Sequence, residues 1–373
     1  MNVRSIGVEE ELLLVSAETG EAQALSAAVL ASAAPGPVDS LEGGFEKELQ
    51  KEQVEFATRP VTSLDELREE IVRLRGQAAA HAAGAGAAVA AIATSPLSVS
   101  PSINAGERYR WMAEHFGLTA LEQLTCGCHV HVSVESDEEG VAVLDRIRPW
   151  LSVLTALSAN SPFWHDEDSG YGSYRSRVWN RWPSAGPVEV FGSADRYHEQ
   201  VARMVATGAI RDEGMVYFDA RLSAAYPTVE IRVADVCLEA STTVVLAALI
   251  RALVETAARE WRAGLPPAAV PVGLLRLAAW RAGRSGLDGP LIDPRTMREA
   301  PAETVVQALF SQVQDALEDN GDAERAREGL AALLARGNGA RIQRQLLREH
   351  GSLRAVVAEC TRLTIRAEPL MAG

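Results

Sequence analysis

Carboxylates, imidazoles and arginines recur in this chain at every second residue of short β-branched stretches. Ile6–Val15 carries Glu9 and Glu11, Gln50–Thr58 carries Lys51, Gln53 and Glu55, Thr125–Val134 carries His129 and His131, and Thr228–Asp235 carries Glu230 and Arg232. In an extended strand alternate side chains share a face. Each stretch therefore has an ionisable face backed by an apolar one: Val8, Leu12 and Leu14; Val54 and Phe56; Cys126, Cys128, Val130 and Val132; Val229, Ile231 and Val233. In one sheet the ionisable faces would form a floor on which Glu9, Glu11, Glu55 and Glu230 crowd together, balanced by Arg232 and Lys51. Like charges side by side on a sheet are destabilising, and a hard cation among the oxygens removes that penalty. A metal site is one reading. The solvated face of an antiparallel sheet is the other.

The individual motifs carry unequal weight. The run Glu9-Glu10-Glu11 also suits a solvated surface. Alternate histidines, His129-Val130-His131, can converge on one metal, or can bond to neighbours as core or edge imidazoles. Cys126-Gly127-Cys128 lacks the two-residue gap of a zinc knuckle and points with the valines, which reads as core packing. No Gly-Lys-Ser/Thr phosphate loop occurs, and Gly84/Gly86 lacks the third glycine of a dinucleotide fingerprint. Any nucleotide would have to be held by metal and arginine. Ser173–Pro183 supplies Arg175, Arg177 and Arg181 among Trp179 and Trp182. Forked guanidiniums grip carboxylates and phosphates; a packed surface loop neutralising nearby acids is the alternative.

The elements that must position these residues are legible in outline. Further strands are predicted at Ala88–Thr94 and Met215–Leu222, and helices at Leu144–Leu157 and Ser241–Trp261. Ser63-Leu64-Asp65-Glu66 opens another helix, with Leu67, Ile71 and Leu74 as its stripe. From Ala302 onward the pattern is helical throughout, with Val305, Leu309 and Val313 on one face. Strands early and helices late predict an α+β fold. Ser161–Pro187 reads as a long functional loop, and the small-residue stretches Ala78–Ala91 and Pro35-Gly36-Pro37 as packing or loops, so one domain is expected over residues 1–373.

With 47% apolar and 23% charged residues the composition is that of a water-soluble globular protein. The net charge of −14 argues against nucleic acid and anionic membrane partners. The longest apolar run, Thr242–Ile250, ends at Arg251, too soon for a membrane span. Four cysteines and no apparent secretory signal fit a reducing, cytoplasmic setting.

At these motifs the chain resembles the glutamate–cysteine ligase superfamily, specifically its YbdK-type carboxylate–amine ligase branch. The matching stretches are GVEEELLLV (Gly7–Val15), ELQKEQVEFAT (Glu48–Thr58), CGCHVHVSV (Cys126–Val134), SYRSRVWNRWPSAGP (Ser173–Pro187) and DARLSAAYPTVEIRVADVC (Asp219–Cys237), with weaker agreement at GLDGPLIDP (Gly286–Pro294). The resemblance implies a glutamine-synthetase-like fold, in which a curved antiparallel sheet forms a funnel for ATP and Mg²⁺ (or Mn²⁺), flanked by helices.

By motif position the resemblance makes Glu11, Glu48 and Glu55 ligands of one metal and Glu9, His129 and Glu230 ligands of a second. Glu48 is off the parity of its neighbours and needs a bend to join them. Arg232, with Glu230, is the catalytic candidate. Arg232, His131 and Lys51 are the ATP-facing candidates, and Arg175, Arg177 and Trp179 those for substrate. The implied reaction is ATP-dependent amide formation through an acyl phosphate, between a glutamate-like carboxylate and an amine, in a homodimer. Alternatives are a dinuclear metal hydrolase using His129 and His131, a phosphotransferase on the same fold, and a non-catalytic relative.

Overall fold

Strand β1 (Ile6–Val15) is hydrogen-bonded along both edges, and the fold is arranged around it. The computed structural model describes residues 3–32 and 44–366; Pro35-Gly36-Pro37 and the first two residues lie outside that range. The other strands of the sheet are β2 (Gly44–Glu46), β3 (Gln53–Ala57), β4 (Ala88–Ala90), β5 (Gly127–Ser133), β6 (Ala220–Leu222) and β7 (Thr228–Asp235). Their order is β2-β3-β1-β5-β7-β6, with β4 pairing the last residues of β1, and every pairing is antiparallel.

The back of this sheet is apolar because the alternation is strict. Ile6 and Val8 of β1, Cys128, Val130 and Val132 of β5, and Val229 and Ile231 of β7 are all buried in one cluster. Against them pack α2 (Asp137–Ile147), α3 (Leu151–Ser158) and the long α5 (Ala240–Arg262). By length and composition α5 could cross a membrane, yet 89% of its apolar window is buried inside the protein. It is a core helix, and the early charge in it, Arg251, is paired inward with Asp322. Four helices, Ala302–Asn320, Ala323–Arg336, Gly339–His350 and Leu353–Thr364, account for the C-terminal region from Ala302 on, as its periodicity predicts.

Several predicted elements are shorter or broken. The helix expected over Leu144–Leu157 is interrupted by a 3-10 turn at Arg148–Trp150. Pro149 has no N–H to give the carbonyl of Asp145, and Arg148 Nε bonds that carbonyl instead at 3.2 Å. The strands predicted at Gln50–Thr58, Ala88–Thr94 and Met215–Leu222 contract to β3, β4 and β6. Lys51 thereby leaves the strand for the turn before β3, its N–H donating to Ser102 O and its carbonyl accepting from Ser26 N–H. Ser161–Pro187 is not wholly irregular: it holds a hairpin (Phe163–Trp164 with Glu167–Asp168) and the short helix α4 (Arg175–Trp179).

One polar contact crosses the apolar side of the sheet. The helix α1 (Leu64–Gly84), capped by Ser63 Oγ accepting the N–H groups of Asp65 and Glu66, carries Arg75 in its buried stripe. Arg75 Nε and Nη2 donate to Glu10 Oε2 and Oε1 at 2.7 and 2.8 Å, and Thr243 Oγ1 donates to the same carboxylate at 2.6 Å. Further bonds from Arg75 reach the carbonyls of Cys237 and Leu238. Removing one member of a fully buried pair leaves the other charge without compensation. Glu10→Ala is therefore expected to cost about 3–5 kcal/mol of unfolding free energy in a denaturant titration. Glu11→Ala, one residue along on the other face, spares stability in the same titration.

Candidate active site

Register converts the alternation into a site. Across β1 and β5, Glu9 lies opposite His129 and Gly7 opposite His131; across β1 and β3, Glu11 lies opposite Glu55; across β5 and β7, His131 lies opposite Glu230. Glu9 holds both histidines: its Oε2 is 3.2 Å from His129 Nδ1, and its Oε1 is 3.1 Å from His131 Nε2. His131 Nδ1 is fixed by Thr228 Oγ1 at 3.0 Å. His129 Nε2 has no hydrogen-bond partner and lies 4.0 Å from Glu11 Oε1. Ligand atoms of Glu9, Glu55 and His129 fall within 4.8 Å of one another, as do those of Glu9, His131 and Glu230.

The β5–β7 pairing is irregular at its centre. Cys128 pairs with Ala234 and Val130 with Ile231, so His129 alone faces Arg232 and Val233, a β-bulge on β7. The extra residue lets Arg232 and Asp235 share the site's side although strict alternation separates them. Arg232 Nη1 bonds Glu230 Oε1, and its guanidinium stands 5.7 Å from the Trp179 ring centroid. Glu230 also takes Arg221 Nε at 2.6 Å, from β6 directly opposite. Asp235 accepts Asn160 N–H, Ser161 Oγ and Ser173 Oγ at 2.7–2.8 Å. Ser161 Oγ in turn accepts the Arg175 N–H, so Asp235 anchors the segment that delivers α4.

Arg175 is buried, and its guanidinium lies 5.4 Å from the other contact on Trp179. It passes directly over Gly127, whose N–H donates to Glu11 Oε2 at 2.6 Å. A Cβ at position 127 would collide with Arg175 Nη2 and stand 3.1 Å from His129 Nε2, so only glycine leaves room for the guanidinium there. The Nε groups of Arg175, Arg177 and Arg232 are all buried without partners. The site thus presents orphaned donors beside crowded acceptors.

Charge balance differs across the floor. Burial works against ionising Glu230, but Arg232 and Arg221 hold its carboxyl down at about 2. Burial likewise opposes Glu9, which hydrogen bonds with His129 and His131 carry well below the usual carboxylate range. Glu11 and Glu55 have no such support: burial, then the neighbouring Glu48, pushes Glu11 up to about 7 and Glu55 well above its ordinary value. Burial and Arg232 bring His129 down to about 4, leaving its imidazole neutral at pH 7.

The sequence-derived candidates are not distributed as expected in every case. Glu9, Glu11, Glu55, His129 and Glu230 come together, and Glu48 reaches the Glu55 carboxyl from the connection between β2 and β3, where strand parity does not apply. His131 joins Glu9 and Glu230 directly rather than standing apart from them. Lys51, in its turn, is not on the shared face. Arg175 and Trp179 lie at the site, while Arg177 extends toward Asp219 and Tyr171. Sequence reasoning missed Arg221, Asp219 and Asp235. Arg221 had a signal, since β6 and β7 read as a hairpin in which it falls opposite Glu230; Asp235 had none, because the bulge reverses its parity.

Comparison with known proteins agrees with this geometry. The sequence model of glutamate–cysteine ligase family 2 matches residues 5–359. A relative from Streptomyces coelicolor, which carries the provisional name glutamate–cysteine ligase 2, is 64% identical over 362 residues, covering 97% of this chain and 99% of its own. One from Streptomyces avermitilis, with a similarly provisional name, is 65% identical over the same shares. Among solved structures, the glutamate–cysteine ligase of Francisella tularensis in complex with AMP has a TM-score of 0.72 at 12% identity, covering 98% of this chain and 89% of that one. A bifunctional glutathione synthetase from Pasteurella multocida has a TM-score of 0.67 at 14% identity, over 97% of this chain and 52% of its own. Fold, site and relatives define a class, the ATP-dependent carboxylate–amine ligases. Within it the chain belongs to glutamate–cysteine ligase family 2.

The crowding has a consequence for stability. A carboxyl with a raised folded pKa keeps its proton in the folded state after the unfolded chain has released it, so stability falls as pH rises between the two values. For Glu11 that window runs from 4.5 to about 7. After chelation with EDTA the wild type is expected to lose stability across this window. Glu11→Gln should flatten the decline and be more stable by roughly 1–3 kcal/mol at pH 8, with little difference at pH 4, by denaturant midpoint. Parallel pH profiles would show that the crowding is not felt.

Proposed function

We propose that this ligase activates the carboxylate of a glutamate-like amino acid with ATP and joins it to an amine, glutamate with cysteine being the reference pair. The observation that carries the reading is the buried meeting of Glu9, Glu11, Glu48, Glu55 and Glu230 with unpaired guanidinium nitrogens of Arg175 and Arg232. Such a face is costly by itself and suits a triphosphate with its cations. The residues fit divalent metal: carboxylate oxygens outnumber imidazoles, one neutral imidazole nitrogen is orphaned, and oxygen-rich sets prefer Mg²⁺ or Mn²⁺ to Zn²⁺. Glu9, Glu11, Glu48, Glu55, His129 and Glu230 would hold it, with His131 close enough to contribute. When bound, Mg²⁺ offsets phosphate charge as it develops in the transition state.

The chain's own residues do the rest. Arg232, held by Glu230 and stacked near Trp179, is placed to stabilise the transferring γ-phosphoryl group. Arg175, and Arg177 beyond it, orient the donor through its non-reacting carboxylate. The donor carboxylate oxygen attacks the γ-phosphorus, the bond to the ADP oxygen breaks, and an acyl phosphate results. The amine nitrogen then attacks the carbonyl carbon and phosphate leaves. Following the family resemblance, we place this activity in a cytoplasmic homodimer with neither nucleic acid nor membrane as partner.

ADP release measured with ATP, Mg²⁺ and a panel of amino acids tests the reading. Turnover should require both glutamate and one particular amine, disappear with EDTA, and fall by two or more orders of magnitude in Glu55→Ala. Absence of nucleotide turnover with every pair, together with tightly held Zn²⁺, would instead support hydrolysis through His129 and His131.

A further inference from the structure

Ligation needs a group that neutralises the incoming ammonium, because a protonated amine has no lone pair with which to attack. The carboxylates around the bound phosphates cannot serve while they hold cations. One carboxylate on the same face stands clear of them. In the segment leading into β6, Phe218 and Ala220 enter the core, while Arg221 pairs with Glu230 on the site's side. Asp219 alternates with Phe218 and Ala220 and therefore shares the side of Arg221. Its main chain is locked in place: the N–H donates to Gly186 O at 3.1 Å, and the carbonyl accepts the Arg232 N–H at 3.0 Å.

The Asp219 carboxylate has three cations around it and a hydrogen bond to none of them. Arg175 and Arg177 of α4 and Arg276 of α6 (Val272–Ser285) act on it only as charges. Arg177 spends its one side-chain hydrogen bond on the adjacent Ser176 carbonyl at 3.5 Å, and its Nε is unpaired. Arg175 connects the two halves of the site, reaching Gly127 beside Glu11 at one end and the field of Asp219 at the other. A carboxylate left free among orphaned guanidiniums is arranged for an ionic group from outside.

We propose that Asp219 is the general base of the ligation step, receiving the ammonium of the acceptor amine and taking one of its protons. The assignment rests on the ligase reading above. The neutral nitrogen donates its electron pair to the carbonyl carbon of the acyl phosphate, the C–N bond forms, and the C–O bond to phosphate breaks with its electrons on oxygen. Of the two protons the ammonium loses, one goes to Asp219 and one leaves with phosphate as HPO₄²⁻. Asp219 then returns its proton to solvent. Burial, against the pull of Arg177, Arg175 and Arg276, brings the Asp219 carboxyl up to about 7, which suits reversible proton transfer near neutrality.

Hydroxylamine separates this role from a structural one, since it is neutral at pH 7 and needs no base. Wild type and Asp219→Asn would be compared for hydroxamate formation from glutamate, ATP and hydroxylamine. Amide formation would be followed in parallel with cysteine or the best amine of the panel. The expected result is a loss on the order of 10²–10³-fold in amide formation with hydroxamate formation within about threefold of wild type. Asp219→Glu should recover part of the amide rate with a displaced pH profile. Equal losses in both assays, or unchanged amide formation in Asp219→Asn, overturns the assignment while leaving the ligase reading standing. Failure of the wild type in both assays removes the ligase reading, and this assignment with it.

Discussion

The Glu10–Arg75 ion pair is the contact on which the site depends. Three consecutive glutamates on β1 could slide by one residue and exchange faces, since a one-residue slip inverts every side chain of a strand. Arg75, fully buried on α1, accepts only one of them, and Thr243 of α5 closes on the same carboxylate. With Glu10 held on the helical side, Glu9 and Glu11 have no choice but the other. The most strongly bonded carboxylate of the triplet thus performs no chemistry, and its two neighbours are available for it.

The second constraint is the bulge opposite His129. A regular β5–β7 ladder would send Asp235 to the back of the sheet with the valines. The added residue instead lets β7 place Glu230, Arg232 and Asp235 on one side. Glu230 and Arg232 enter the ionisable floor, and Asp235 ties down the segment carrying Arg175. Bulges bend strands and re-aim side chains next to functional sites, and here one irregularity connects the sheet to the arginine-bearing loop.

How much of this was legible follows from the physics of each element. The parity of β1, β3 and β5 could be read because apolar and ionisable residues alternate without a break, and the late helices because their stripes repeat. The family motifs carried the metal candidates, including Glu48, which no strand pattern could place. What escaped notice depends on tertiary contact. Glu10 and Arg75 each look like an exposed charge in their own element, though Arg75 falls four residues after Ile71 in an otherwise buried stripe. Lys51 was assigned to a strand because its neighbours are β-formers, whereas Ser102 and Ser26 hold its main chain in a turn. Asp235 required the bulge, and Asp219 required knowing which guanidiniums gather around it.

The central claim is that the ionisable face of this sheet is a receptacle for nucleotide-bound divalent cations. Its most direct test is anomalous diffraction from crystals grown with Mn²⁺ and a non-hydrolysable ATP analogue. The account predicts manganese peaks among Glu9, Glu11, Glu55, His129 and Glu230, with the phosphates reaching toward Arg232. Nucleotide bound elsewhere, with no manganese between these side chains, would contradict it.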